Sequence, residues 1–357
     1  MKKYVYVLSA MFLLHSCSSE PKVDGSDFVI DYHENTTFDW NAVLDIEEVI
    51  PLETSDSILL SYASECLVAA DRIVYADSKQ KALYVFNREG KFVYKIDALG
   101  AGDKEYTMIK DVAVSQDNRD LYILDQASIL VFDLVSGEYR NRITLDEKYA
   151  SSFYQLAETG NQVFYIWSTD ATTSLYVLDK GNVYPIKERD GFPFVCQKFY
   201  IDAVGKVNLI SDCGRYSIET VELDKTIPKY SLDFGRWAFP YDKNMRTVTD
   251  WEKVDSQAYF KSLLSAFETK DALYVSTATP AKKLYCIAIQ TATSKMIYGN
   301  QDADSPVVVI GSDSTSFWGL LYPALFKEGT AISDLIKKHH VSDDDNPIAV
   351  RFKFKFT

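Results

Sequence analysis

Histidine, the side chain best suited to acid–base work near neutral pH and to metal ligation, is confined to the ends of this chain. Beyond His15 there are only His33, His339 and His340. That placement excludes a histidine base, or a metal centre with two or more histidines, from the middle of any fold. His339-His340 stands just before Asp343-Asp344-Asp345, whose hard oxygens suit Ca²⁺. The acids are consecutive, however, and lack the spacing of a dedicated cation loop, so they read as a solvated turn. Neither a metal nor a cofactor is expected. The 51 acidic residues offer carboxylate pairs of the kind that cleave glycosides, yet no motif selects one, and the catalytic residues, if there are any, stay unassigned.

Cysteine and aromatic chemistry is more localised. Beyond Cys17 lie Cys66, Cys196, Cys213 and Cys286. An even number in an exported chain permits disulfides, although four in a chain of this length make no disulfide scaffold. Cys196 and Cys213 flank an expected hairpin of strand 194–201, turn 202–206 and strand 207–211. Residues facing one another there have numbers summing to 408 or 409, and 196 plus 213 is 409. This pair is the candidate disulfide, whereas Cys66 and Cys286, in apolar runs, read as buried thiols. For binding, Arg236, Trp237, Phe239, Tyr241 and Trp251 gather on one stretch. Such side chains on a projecting loop stack on sugars or pack against a protein; the competing reading is that they pin the loop to its own sheet. The loop Gly100–Tyr106 is a second candidate, its glycines supplying turn geometry.

The chain begins with Met1-Lys2-Lys3, an apolar run from Tyr4 to Leu14, and His15-Ser16-Cys17. A basic start followed by an apolar run of about eleven residues is a secretory signal, too short to span a bilayer as a helix. Leu14 and Ser16 before Cys17 resemble a bacterial lipobox, although His15 is an unusual occupant. The resemblance implies cleavage after residue 16, acylation of Cys17 and a polar tether over 17–27. With Lys2 and Lys3 removed, 36 basic residues face 51 acidic ones, so the mature charge is near −15. That field repels nucleic acid and anionic bilayers but not a neutral glycan, a peptide, a basic protein or a cation; a protein or glycan of the cell envelope is the expected partner, and the lipid the only membrane contact.

The elements that must position these residues are strands. One phrase returns six times, as Ile73-Val74-Tyr75-Ala76-Asp77, Leu121–Asp125, Phe164–Ser168, Val207–Ser211, Leu273–Thr277 and Phe317–Leu321, at spacings of 48, 43, 43, 66 and 44 residues. Units of about 40–50 residues built only of strand-like runs are the blades of a propeller. The high aromatic content, with 24 Tyr and 20 Phe, suits many half-buried strands. The prediction is an all-β, six-bladed β-propeller of four-stranded antiparallel blades over 28–357, with an insertion at about 235–262. A ring must close its open edges. Phe28–Tyr32 and Ile348–Phe354 are the expected end strands, the N-terminal region adding a strand to the last blade. Asp77 and Asp125, where strands end, are expected to cap turns. Helical signal is confined to 252–267 and to Thr330–His339.

Three segments extend this pattern to a known group. They are Val49-Ile50-Pro51-Leu52-Glu53-Thr54, Asp77–Lys91 with its Val85-Phe86 and Gly90-Lys91-Phe92, and Leu99-Gly100-Ala101-Gly102-Asp103-Lys104-Glu105-Tyr106. With the closing Asn346-Pro347-Ile348, the chain resembles the six-bladed propeller lipoproteins of Bacteroidetes, which look like relatives of NHL-repeat propellers. The group's usual Gly-Arg-Gly-Pro-Gly-Glu-Tyr lacks its Arg and Pro here. The resemblance implies a monomeric propeller anchored to the outer membrane by lipid, facing the periplasm or the surface, and acting as a binding or scaffold module. The alternative is a carboxylate-dependent hydrolase or lyase acting on a glycan or lactone in the central channel.

Overall fold

Each recurrence of the phrase becomes the second strand of a four-stranded antiparallel sheet. The computed structural model describes residues 27–356 apart from 70, 243, 244, 246–249, 251–253 and 255–257. Blade one is built from Ala63–Val68, Arg72–Asp77, Ala82–Asn87 and Phe92–Ile96, and blade two from Asp111–Val114, Asp120–Leu124, Ser128–Asp133 and Tyr139–Thr144. Blades three, four and five repeat the meander from Phe153, Phe199 and Leu263. The first strands of successive blades touch in sequence, and that of blade six, Val308–Ser312, returns to blade one. The ring is closed.

Burial explains the sequence pattern. The second and third strands of a blade are covered on both faces by the neighbouring blades, so Ile73–Asp77 and Ala82–Phe86 are buried without a break. The fourth strand is the outer edge and alternates, as Phe92–Ile96 does. Asp77 acts as expected: its carboxylate accepts the amides of Ser61, Lys79 and Gln80. Asp125 accepts those of Thr107 and Met108. Both hold the incoming inter-blade loop, and Asp77 also caps the turn that follows it.

Closure differs in one respect from the expectation. Ile348–Phe354 is indeed the third strand of blade six, but its partner on the outer edge is Leu44–Pro51, from Pro51 opposite Ile348 to Leu44 opposite Phe354. A register shift between Arg351 and Phe352 breaks the alternation of the partner strand and conceals it in the sequence. Phe28–Val29 instead lies parallel on the outer strand of blade four, beside Leu232 and Asp233. Thr37–Phe38 does the same on blade five. Residues 28–43 are thus a belt around three blades, and their apolar side chains Phe28, Ile30, Phe38 and Trp40 are buried in the largest core cluster. At the seam, buried Asn346 donates to the carbonyls of Glu53 and Ile58 and accepts the Leu60 amide. Gly90 has a φ of +78°, and a Cβ there would stand 2.1 Å from the Pro51 carbonyl oxygen, so only glycine allows blade one to approach the closing strand.

The expected helix near the C-terminus is present as Ala331–Lys338, with Thr330 and Ser333 forming a capping box. Of the segment 252–267 considered for a helix, residues 252, 253 and 255–257 lie outside the described residues, and its end is instead a strand, Leu263–Glu268, the first of blade five.

Candidate functional site

The six first strands enclose a cavity of about 830 Å³ along the ring axis. Its wall carries two carboxyl groups from neighbouring blades, Glu65 and Asp111. Each also reaches to the next blade. Glu65 Oε2 accepts the Val112 amide at 3.0 Å, and Asp111 Oδ2 accepts the Leu156 amide at 2.7 Å. Gln155 Oε1 continues the series, accepting the Lys198 amide at 2.6 Å. The inner strands, whose edges have no fifth strand to pair with, are laced from blade one to blade four by side chains.

Glu65 and Asp111 are hydrogen-bonded to each other, which requires a proton between them. Burial pushes the Glu65 carboxyl up to about 7, opposed by its bonds to Asp111 and the Val112 amide. Burial, then the Glu65 charge, raises Asp111 as well. A carboxyl raised in the folded state binds its proton more tightly there than in the unfolded chain. Its stabilisation is complete below about pH 4.5 and is lost as pH rises towards about 7. Urea midpoints should fall across that window in the wild type and fall less in Asp111→Asn, which keeps the lacing without the shared proton. A steeper fall in the variant would contradict the assignment.

The other acids on the cavity wall are already answered. Glu158 accepts the Gln116 and Gln162 amides. Asp202 is 2.6 Å from Lys229 Nζ, and Asp313 is 2.8 Å from Arg351 Nε. Between blades three and four, a buried cluster centres on Asp212. Its Oδ1 accepts from Trp167 Nε1 at 2.9 Å and its Oδ2 from Arg189 Nη1 at 2.5 Å, while Lys198 Nζ, with no exposed surface, stands 3.5 Å away.

The candidates from sequence fall in different places. Phe239 is buried, its amide held by the Tyr216 hydroxyl at 2.7 Å. Trp237 is half-buried, edge-on to Tyr32 at 5.3 Å, with exposed Arg236 over its ring at 4.8 Å. Tyr241, half-buried, lies under Arg215 at 4.8 Å. These contacts pin the loop to the body of the ring. Trp251 lies outside the described residues, as do Cys17 and the signal segment. Cys196 and Cys213 stand as thiols that donate to the carbonyls of Leu263 and Lys261, and the backbone partner of Cys213 is Phe192. Asp345 accepts the Ser342 amide and hydroxyl within its own turn. Among the described residues, no group of three or more His, Cys, Asp or Glu side chains is placed to hold a metal. Glu65 and Asp111 were not singled out by sequence. Their only signal is an acid beside the apolar runs Cys66-Leu67-Val68 and Val112-Ala113-Val114.

A family model described as a domain of unknown function, DUF4934, matches residues 27–353. The chain belongs to that family. Among solved structures, it is similar to an exported protein of Bacteroides fragilis at 17% identity, covering 92% of this chain and 99% of that one, with a TM-score of 0.75. A DUF4221 family member of Bacteroides vulgatus aligns at 9% identity over 88% of this chain and 98% of that one, with a TM-score of 0.57. These likenesses are of fold. No curated protein matches the sequence. Among the described residues, no helix is long and apolar enough to cross a membrane.

Proposed function

We propose that this DUF4934 propeller is an exported lipoprotein, acylated at Cys17 and held at the cell envelope, that binds a protein or glycan there through one face of its ring. The observation that carries the reading is a group of six exposed apolar side chains around the mouth of the channel, against three, Val135, Val204 and Leu223, on the hairpins of the opposite face. Leu59, Tyr62, Leu99, Met108, Phe194 and Val195, each 42–60% exposed, all sit on loops that lead from one blade into the next. In a meandering blade those loops share a face, around the mouth of the channel. Apolar side chains grouped in this way on one face mark a contact surface. The hydrolase alternative has less support. Retaining glycosidases separate their carboxyls by about 5 Å and inverting ones by more, whereas Glu65 and Asp111 touch and each holds a backbone amide.

The test is photo-cross-linking in native envelopes from Tyr62 and Val195, with Val204 on the opposite face as reference. Adducts from the first two and not from Val204 are expected. Equal adducts from all three, or none, would overturn the face assignment. In the same cells, Cys17→Ala should move the protein from the membrane pellet to the soluble fraction; retention in the pellet would overturn the anchor.

A further inference from the structure

The channel has features that a macromolecular contact on the ring face does not use. Its wall is largely aliphatic and aromatic, with Leu67, Ile109, Phe199, Ile201, Val308 and Ile310 facing a cavity of about 830 Å³. Ile201 and Val308 remain 40% and 44% exposed. Small-molecule sites occupy roughly 300–1,000 Å³ and combine an apolar wall with a few placed polar groups. Here the charged groups can be assigned one by one. Glu158 is occupied by amides, and Asp202 and Asp313 by Lys229 and Arg351. Lys110, a cation of the wall, donates its ammonium to the Ala150 and Phe153 carbonyls. Glu65 and Asp111 remain. Among the described residues, neither has a cation within ion-pair distance, and the only ionisable groups set against them are each other and the Cys66 thiol beside Glu65.

We infer that the channel takes an apolar molecule bearing one protonated amine, seated with its ammonium between Glu65 and Asp111. An ammonium has three donors and can bridge both carboxylates in place of the proton they share. The exchange balances: the ligand enters as R–NH₃⁺, the carboxyl pair gives up its proton to solvent, and no covalent bond to carbon changes. A carboxylate ligand would be repelled by the pair and by a chain with a mature charge near −15. An alcohol would gain no charge pairing.

The test uses the whole chain carrying Cys17→Ser, so that no detergent competes for the channel. The probes are n-octylammonium, n-octanol and n-octanoate, titrated calorimetrically in two buffers of different ionisation enthalpy. The ammonium should bind with release of a proton and should tighten as pH rises, since burial holds both carboxyls protonated above their ordinary range. Octanoate should not bind. Asp111→Asn, which keeps the lacing but cannot give up the proton, should weaken binding at least about tenfold and abolish proton release. Val308→Trp, which narrows the mouth without changing charge, should weaken binding and leave proton release per bound molecule intact. Equal binding of octanoate or octanol, no proton release, or wild-type affinity in Asp111→Asn would each overturn the assignment. The comparison among probes on the parent chain decides the matter even if a variant fails to fold.

Discussion

Truncation after Pro347 should abolish soluble folding. The lost segment, Ile348–Phe354, is flanked on one side by Phe317–Leu321 and on the other by Leu44–Pro51, so both of its ladders disappear together. Ile348, Val350 and Phe352 are fully buried, and the belt residues Phe38 and Trp40 pack on Phe354 and Phe352. Removing a buried Phe side chain such as that of Phe352 costs about 3–5 kcal/mol, and a whole domain is stable by about 5–15 kcal/mol. Expression of the truncated chain should give aggregate without a cooperative melt. A soluble product melting near the wild type would show that the ring does not depend on this seam.

The second large effect is expected at Asp212. Its carboxylate answers Arg189, Lys198 and the Trp167 indole N–H, and both cations are also held near the Trp167 ring. In Asp212→Ala, two buried cations lose their counter-charge, which costs about 3–5 kcal/mol. Asp212→Asn keeps an acceptor for Trp167 and should lose less. Urea denaturation should show a lower midpoint at unchanged slope for both variants, with the order wild type, Asn, Ala. If Ala and Asn were equally destabilised, the indole hydrogen bond would add nothing, and if neither moved the midpoint the cluster would not be holding blades three and four together.

The fold was legible because its signal is repeated. The phrase at Ile73, Leu121, Phe164, Val207, Leu273 and Phe317 marks the doubly covered second strand, which is mostly apolar because both faces are buried. Tyr106 was legible as part of a motif, and its role is now physical: it is fully buried and donates from its hydroxyl to the Lys81 carbonyl, fixing the loop between blades one and two. The closing strand Leu44–Pro51 was not legible, because its alternation is interrupted by the bulge opposite Arg351 and Phe352 and its partner lies at the far end of the chain. The site was less legible still. Glu65 and Asp111 are two of many acids, and only the ring brings them together. Conversely, Phe239 carried a conspicuous signal in sequence, yet its ring is packed inside. Aromatic composition alone does not distinguish a displayed ring from a packed one.

The closing seam also sets a timetable. Glu47 pairs with Lys353 across 306 positions of sequence. The strand that completes the last blade is therefore among the first to be made and the last to find its partner. At roughly 5–20 residues per second, it waits on the order of 15–60 s of synthesis before that partner exists. Blades one to five can form their local hairpins meanwhile, but the ring cannot become a cooperative unit until the whole chain has been delivered. A protein so connected can remain unclosed through synthesis and acquire its rigidity in a single late step.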